Sequence, residues 1–256
     1  FRRGEAVVVP NLFPYDELST VLVPAARHDV SMADVPESLV VSGLATARDF
    51  LAATLPRIGD GLHGIVTWNF MPPAGGTQLH PHLQVLGTSE PGSALRRELA
   101  AESEWLAARG RPYAEDLVLA EEAEGRLVGR TGRWTWIVPF APTGTLGDCR
   151  ALLPGKSSVL ELDDDDVAAF ATGLRKALRG FARGGLWSFN MTITPDREGE
   201  RSGRHALTAR LLPRLFIDPQ LHVPDANYLN MLLGERFSMA WPEEVAERLR
   251  GSFSEA

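Results

Sequence analysis

Two similar stretches of sequence decide the fold: residues 64–70, which read GIVTWNF, and residues 186–191, which read LWSFNM. Each stretch places an asparagine directly after an aromatic residue, and the two asparagines, Asn69 and Asn190, are 190 − 69 = 121 residues apart. Two apolar strand-like runs and a helical pattern precede each stretch in the same order. We therefore expect two similar halves, each with the order strand, strand, helix, strand.

The predicted elements give an α+β protein with antiparallel sheets and helices packed on them. The acidic run at residues 163–166 is interpreted as a helix start, because carboxylates there cap free amide groups and suit the helix dipole. The predicted units are residues 1–94, and residues 95–256 with a linker and the second half. The other predicted elements are strands at 6–10, 20–24, 134–139 and 150–154, helices at about 36–55, 95–109 and 163–182, and a hairpin at 117–130.

Composition excludes several classes of protein. The chain has 256 residues, 44% hydrophobic and 23% charged, which is typical of a globular protein of one or two domains. Its net charge of −7 argues against nucleic acid or an anionic membrane as a partner. No apolar run approaches the roughly 20 residues of a membrane helix, and no signal peptide is recognised, so a cytoplasmic location is expected. The single cysteine, Cys149, excludes an internal disulfide, and a start at Phe1 leaves open whether native residues precede it.

The segment after Asn69 carries the candidate chemistry. A loop rich in proline and glycine, residues 72–78, leads into residues 79–85, which read LHPHLQV. If these last residues form a strand, His80, His82 and Gln84 share one face. Imidazoles beside a glycine loop suit an anion such as phosphate, and imidazole is a competent nucleophile near neutral pH.

Pro81 further constrains this segment. Proline cannot donate to a sheet ladder, so we expect the strand to lie at an edge or a mouth of the sheet. From the pattern alone, the two histidines could equally be structural residues or part of a metal site.

Residues 75–84, GGTQLHPHLQ, resemble the active-site segment of galactose-1-phosphate uridylyltransferases and of relatives such as ADP-glucose phosphorylase, in the histidine-triad superfamily. Residues 11–14, NLFP, resemble the Asn-x-Phe segment that lines the family's nucleotide pocket. His28 follows the second strand as a family histidine does, Asn69 stands at a family asparagine, and residues 242–250 resemble the last helix. The resemblance covers most of the chain and implies tandem histidine-triad-like halves.

The resemblance also implies an enzyme, a nucleotidyltransferase that acts in two steps. His82 attacks the α-phosphorus of a nucleoside diphosphate sugar, and the nucleoside monophosphate then passes from the histidine to a sugar phosphate. Phosphate or water as acceptor, and a non-catalytic nucleotide-binding homologue, remain alternatives. No cofactor is required for this chemistry, and a homodimer is compatible with it. The implied catalytic residues are His82, His80 and Gln84, and the implied nucleotide-binding residues are Asn11, Phe13, Asn69, Gly75, Gly76 and Thr77.

The chain departs from the family at its metal sites. The family's structural zinc uses a Cys-x-x-Cys pair together with the counterparts of His28 and His80. That pair would fall before Phe1, and two ligands do not make a closed zinc site, so structural zinc depends on residues outside this chain.

Two departures in the second half concern a second metal and the acceptor. Thr208 and Arg210 stand where the uridylyltransferases use histidine, so we expect the second metal to be absent and Glu98 to be a surface carboxylate. Phe237 stands near the expected hexose-recognising glutamine, which puts galactose 1-phosphate in doubt as acceptor, unless Phe237 is a core residue.

Overall fold

Twelve strands and six α-helices form across residues 1–255, the part of the chain that the computed structural model describes. The strands are β1 (Arg2–Arg3), β2 (Ala6–Pro10), β3 (Leu18–Val23), β4 (His63–Phe70), β5 (Leu83–Thr88), β6 (Leu127–Thr131), β7 (Trp134–Ile137), β8 (Cys149–Leu153), β9 (Ser188–Thr194), β10 (Leu207–Arg214), β11 (Phe216–Asp218) and β12 (Val223–Pro224). The helices are α1 (Glu37–Ile58), α2 (Ser93–Arg109), α3 (Tyr113–Ala123), α4 (Asp164–Arg183), α5 (Tyr228–Met231) and α6 (Pro242–Phe253).

One ten-stranded sheet joins the two halves, in the order β1-β2-β3-β5-β4-β9-β10-β8-β7-β6 with every neighbouring pair antiparallel. The order β2-β3-β5-β4 in the first half is mirrored by β7-β8-β10-β9 in the second. At the centre, β4 pairs with β9 so that Asn69 faces Asn190. The α+β prediction with tandem halves is confirmed. The division at residues 94 and 95, which falls in the first turn of α2, stays a prediction.

The main core lies between one face of this sheet and the helices α1 and α4. Alternation along β4 sends Trp68 and Phe70 into the core, where both contact the ring of Phe189 from β9. The side chains of Thr67 and Asn69, at the intervening positions, are left on the opposite face of the sheet. The polar groups of the candidate site therefore lie on the face that α1 and α4 do not cover.

The acidic run at residues 163–166 is a helix start, as predicted. Asp163 accepts a hydrogen bond from the backbone N–H of Asp166, and the Asp166 carboxylate accepts one from the N–H of Asp163. This reciprocal capping satisfies two amides that have no partner within the helix. The pKa of Asp163 is well below its ordinary value because of this amide and the nearby Arg133 and Lys156.

The predicted hairpin at residues 117–130 is wrong in its first part. Residues up to Ala123 belong to α3, and the hairpin is formed instead by β6 and β7. Two acidic residues in the first turn, Glu115 and Asp116, favour the helix. Ala114 of the same helix packs with Ile137 and Leu152 in a small apolar cluster.

Within residues 1–255, one helix, α1, is long and apolar enough by composition to cross a membrane, with a mean hydropathy of 1.2. This differs from the expectation that no run approaches that length. Leu44 and Leu51 of this helix are fully buried, in the cluster that includes sheet residues. We therefore interpret α1 as the central core helix.

Candidate active site

His80 and His82 lie just before β5, at the end of the sheet, because β5 begins at Leu83. The expectation that both histidines and Gln84 share one face of a strand is therefore wrong, and only Gln84 is in the strand. Pro81, which has no N–H to donate, is accommodated by this shift of the strand start. Of the two expected positions, an edge or a mouth of the sheet, the edge is wrong, since β5 lies between β3 and β4. Pro81 lies instead where the chain enters the sheet, before the first residue of β5.

The ring of His82 is fixed by a local hydrogen bond. Its Nδ1 lies 2.9 Å from the carbonyl oxygen of His80. A carbonyl oxygen can only accept, so Nδ1 carries the proton and donates it. In the neutral ring Nε2 then has a free lone pair, and the side chain is only half-buried. The geometry thus presents an unprotonated nitrogen as a nucleophile.

The ring of His80 points toward the loop after β3. Its Nε2 donates to the carbonyl oxygen of Ala25 over 3.0 Å, so in the neutral ring its Nδ1 accepts, over 3.0 Å, from Nδ1 of His28. His80 therefore supports the site through its carbonyl group and its contact with His28, and its ring is committed elsewhere.

The residues present fit at most half of a zinc site. The Nδ1 atoms of His28 and His80 converge to 3.0 Å, close enough to share one tetrahedral ion. Among residues 1–255, no group of three or more His, Cys, Asp or Glu side chains could hold a metal. Cys149 is buried in β8, and burial raises the pKa of its thiol, which keeps it protonated and unsuited to metal binding. Zinc at His28 and His80 stays a prediction.

Gln84 is oriented by Tyr15, a residue that sequence reasoning missed. The Tyr15 hydroxyl donates to Oε1 of Gln84 over 2.7 Å, which leaves the side-chain NH2 of Gln84 as a donor. Burial, followed by the charge of Asp16, raises the pKa of Tyr15, so the hydroxyl keeps its proton. The only available signal was an aromatic residue close to the Asn-x-Phe segment.

The connection between β2 and β3 carries Asn11 and Phe13. The side-chain oxygen of Asn11 accepts from the backbone N–H of Phe13 over 3.2 Å, which folds the turn locally. The Phe13 ring is 78% exposed, and Tyr15 follows it on the same turn beside Gln84. Exposed aromatic rings there could stack on a base.

The glycine loop uses most of its own amides. The N–H of Gly75 donates to the carbonyl of Pro72 over 2.9 Å, and that of Gly76 donates to the carbonyl of Met71 over 3.1 Å. Gly75 has φ of +82°, which favours glycine. These two amides are committed within the loop, and exposed Thr77 is the loop residue whose hydroxyl is available to an anion.

Asn69 contacts its counterpart from the second half. Nδ2 of Asn190 donates to Oδ1 of Asn69 over 2.7 Å and to the carbonyl of Ala74 over 2.8 Å. Oδ1 of Asn190 accepts from Nη1 of Arg214 over 2.6 Å. Sequence reasoning identified Asn190 as an equivalent position but missed Arg214.

Glu98 is held in an ionic cluster, so its interpretation as a surface carboxylate is wrong. It accepts from Arg210, and Arg150 lies 3.8 Å away; the Glu98 side chain is 21% exposed. The two arginines face each other on β10 and β8, where like charges repel unless a carboxylate balances them. Guanidinium groups at this position disfavour a bound cation. Phe237, the residue near the expected glutamine, is half-buried and outside the hydrophobic core.

One helical turn further, Glu102 holds His205. Nδ1 of His205 lies 2.7 Å from the Glu102 carboxylate, and its Nε2 lies 2.9 Å from the carbonyl oxygen of Thr194. Both nitrogens face acceptors, which favours the doubly protonated ring. Burial opposes this charge, but the hydrogen bond and charge of Glu102 prevail and raise the pKa of His205.

We expect Glu102→Gln to lower the free energy of unfolding by about 3 kcal/mol at pH 6, because it leaves a buried cation without its partner. Because the pKa of His205 is higher in the folded than in the unfolded protein, its protonation stabilises the fold. This stabilisation is complete at pH values below the unfolded-state pKa of about 6.5, and it is lost as the pH rises through the folded-state pKa. The difference in free energy of unfolding between wild type and Glu102→Gln, measured by urea unfolding, should therefore decrease toward pH 9. The control is Glu104→Gln, on the exposed face of the same helix. A difference in free energy of unfolding between wild type and Glu102→Gln that does not change with pH would contradict a charged His205.

Known structures share the arrangement of strands and helices described above. A uridylyltransferase structure superposes with a TM-score of 0.84 at 20% identity, covering 98% of this chain and 85% of that chain. An ADP-glucose phosphorylase from Arabidopsis thaliana, solved with bound ADP-glucose, superposes with a TM-score of 0.81 at 15% identity, covering 96% of this chain and 82% of that chain.

Sequence comparison adds one further relative. An uncharacterized protein of Archaeoglobus fulgidus is 25% identical over 256 residues, which is 100% of this chain and 75% of that protein. No family model matches the chain. The structural likeness agrees with the resemblance carried by residues 75–84. The chain therefore has the fold of the uridylyltransferases and of ADP-glucose phosphorylase, as its histidine segment predicts.

Proposed function

We propose that the protein is a nucleotidyltransferase of the galactose-1-phosphate uridylyltransferase type, which cleaves a nucleoside diphosphate sugar through a covalent intermediate on His82. The observation that carries the proposal is the hydrogen bond from Nδ1 of His82 to the His80 carbonyl, which gives the neutral ring its free lone pair at Nε2. A nitrogen in this state can attack phosphorus without first losing a proton.

In the first step the lone pair of Nε2 forms a bond to the α-phosphorus. The bond from phosphorus to the bridging oxygen breaks, and the sugar 1-phosphate leaves with that electron pair. The ring becomes positively charged, and the His80 carbonyl, which accepts from Nδ1, stabilises this charge. In the second step a phosphate oxygen of the acceptor attacks the same phosphorus, and His82 leaves as a neutral ring.

Two groups support the charge that develops on the non-bridging oxygens. The side-chain NH2 of Gln84 is a fixed donor because Tyr15 occupies its oxygen. The hydroxyl of Thr77 is exposed on the loop that precedes the histidines. Fixed donors at such positions stabilise a phosphoryl transition state more than they stabilise the substrate.

A phosphorylase or hydrolase that uses the same intermediate is the second candidate. It is favoured by Phe237, whose ring offers no hydrogen bond to a sugar hydroxyl. A non-catalytic binding protein is less well supported, because it would have no need to hold His82 in a reactive tautomer.

Intact-protein mass spectrometry after mixing with UDP-, ADP- or GDP-glucose tests the proposal. We expect an acid-labile gain of one nucleoside monophosphate with one of these donors. Subsequent addition of hexose 1-phosphate, inorganic phosphate or buffer alone identifies the acceptor from the rate at which the label is lost. Failure of every donor to label the protein would refute the covalent mechanism.

A homodimer is proposed as the assembled form. Large apolar side chains between residues 216 and 241 are exposed, including Leu221, Met231, Leu232, Met239 and Trp241. Exposed apolar side chains in such number are typical of a protein interface. Analytical ultracentrifugation should give about twice the monomer mass of 27.9 kDa at micromolar concentration, and Trp241→Glu should shift the protein toward monomer. A wild-type protein that sediments as a monomer would exclude this assembly.

A further inference from the structure

The hydrogen bonds around Asn190 fix the orientation of its side-chain amide. Arg214 has only donors, so the atom that faces it must be Oδ1 of Asn190, which accepts over 2.6 Å. The carbonyl of Ala74 can only accept, so the atom that faces it, over 2.8 Å, must be Nδ2. Two independent partners thus exclude the flipped amide.

The orientation of Asn190 determines that of Asn69. Since Nδ2 of Asn190 donates to Asn69 over 2.7 Å, the acceptor is Oδ1 of Asn69. The Asn69 NH2 group is then turned away from Asn190. Within residues 1–255 no protein acceptor takes up this NH2 group, so it is available to a ligand.

Strand register places Asn69 near the segment that carries the nucleophile. The β4–β5 ladder ends at the pair Thr67–Gln84, and Asn69 lies two residues beyond Thr67, at the end of the ladder where the chain leads back through Leu83 to His82. Asn69 and Gln84 therefore lie on the same face of adjacent strands, at the end of the sheet next to the His82 segment.

Arg214 is itself rigidly held. Its Nε and Nη2 atoms contact the carboxylate of Asp225, which is buried, with both Nε contacts at 2.9 Å. Arg214 also occupies an equivalent position in the repeat. It pairs with Ser188 in β9, whereas Gln84 pairs with Thr67 in β4. Ser188 and Thr67 are 188 − 67 = 121 residues apart, which is the offset of the repeat. Arg214 is thus the counterpart of Gln84 in the second half.

We propose that Arg214 and Asn190 are positioning residues for nucleotidyl transfer, which hold the Asn69 amide so that its NH2 group donates to the nucleotide attacked by His82. This inference rests on the proposed function. It assigns to the second half, which lacks a His-Pro-His segment, the positioning of a residue of the first half.

Asn190→Asp tests the proposal by changing one atom. The carboxylate can still accept from Arg214 but can donate neither to Asn69 nor to the carbonyl of Ala74. Asn69 therefore turns its own NH2 toward the carboxylate and presents Oδ1 to the anionic nucleotide. We expect the single-turnover rate constant for labelling of His82 to fall about 100-fold at saturating nucleotide sugar. Asn227→Asp is the matched control, because Asn227 uses only its oxygen, as a helix cap, and aspartate caps equally well.

A double-mutant cycle separates positioning from a general structural role. If Asn190 acts through Asn69, Asn190→Asp has almost no further effect on labelling in an Asn69→Ala background. The proposal would be overturned if the fold losses in labelling rate of the two single variants multiplied in the double variant. It would also be overturned if Asn190→Asp were labelled at the wild-type rate. Arg214→Lys should lower the rate of His82 labelling less than Arg214→Gln does, because lysine, like arginine, can only donate. Equal losses of rate in the two variants would remove Arg214 from the proposal. If the wild type is not labelled by any donor, the proposed function itself has failed.

Discussion

His82→Asn should abolish covalent labelling, lowering its rate by about 10⁴-fold or more, which is the scale of loss when a nucleophile is removed. Asparagine keeps a polar side chain of similar reach but offers no nucleophilic nitrogen, because the amide lone pair is delocalised. His82 is half-buried outside the main core, so we expect the thermal midpoint to change little. Intact-protein mass spectrometry with the donor that labels the wild type measures the result.

The matched control is His222→Asn. His222 is exposed in the second half and has φ of +52°, a conformation that asparagine adopts readily. This variant should label at the wild-type rate. Continued labelling of His82→Asn would place the nucleophile on another residue and would remove the central assignment of the site.

Gly76→Ala should lower the labelling rate about 100-fold, because the added methyl group has no space. A Cβ there would lie 2.9 Å from the carbonyl oxygen of Asn69 and 3.1 Å from both the nitrogen and the oxygen of Met71. All three are backbone atoms, so the loop has to move as a unit, and Ala74, which holds Asn190, moves with it. Displacement of reacting groups by about 1 Å is enough for a loss of this size.

Gly155→Ala controls for the general cost of adding a methyl group to a turn. Gly155 has φ of +82°, and its Cβ would meet nothing within 4 Å. We expect this variant to lose about 1 kcal/mol of stability and to keep its labelling rate. If Gly76→Ala labelled as fast as the wild type, the loop geometry would have no bearing on the reaction.

The helices and the repeat could be predicted from the sequence because their signals are local. Apolar spacing and the acidic cap at Asp163 placed α1 and α4 within a few residues of their observed bounds. The start of β5 could not be predicted, since residues 79–85 alternate as a strand does. The strand begins only at Leu83, because Pro81 has no N–H to donate and the His82 side chain bonds back to the His80 carbonyl.

The supporting residues of the site could not be predicted, because their contacts join distant parts of the chain. Tyr15 reaches Gln84 across 69 positions, and Arg214 reaches Asn190 across 24. Neither is visible until the register of the strands is known. The nucleophile was accessible from the sequence because its segment is short and contiguous.

The facing of Asn69 and Asn190 has a consequence for how a duplicated protein acquires a single active site. Asn69 and Asn190 are equivalent residues of the 121-residue repeat, and they pair with each other where the mirrored halves meet. They therefore lie on the symmetry axis that relates the two halves. A hydrogen bond between two identical amides on such an axis has a direction, so it cannot be symmetric. The guanidinium of Arg214 and the carbonyl of Ala74 together select that direction, and two contacts outside the pair thereby decide which of the two copies keeps a free NH2 group.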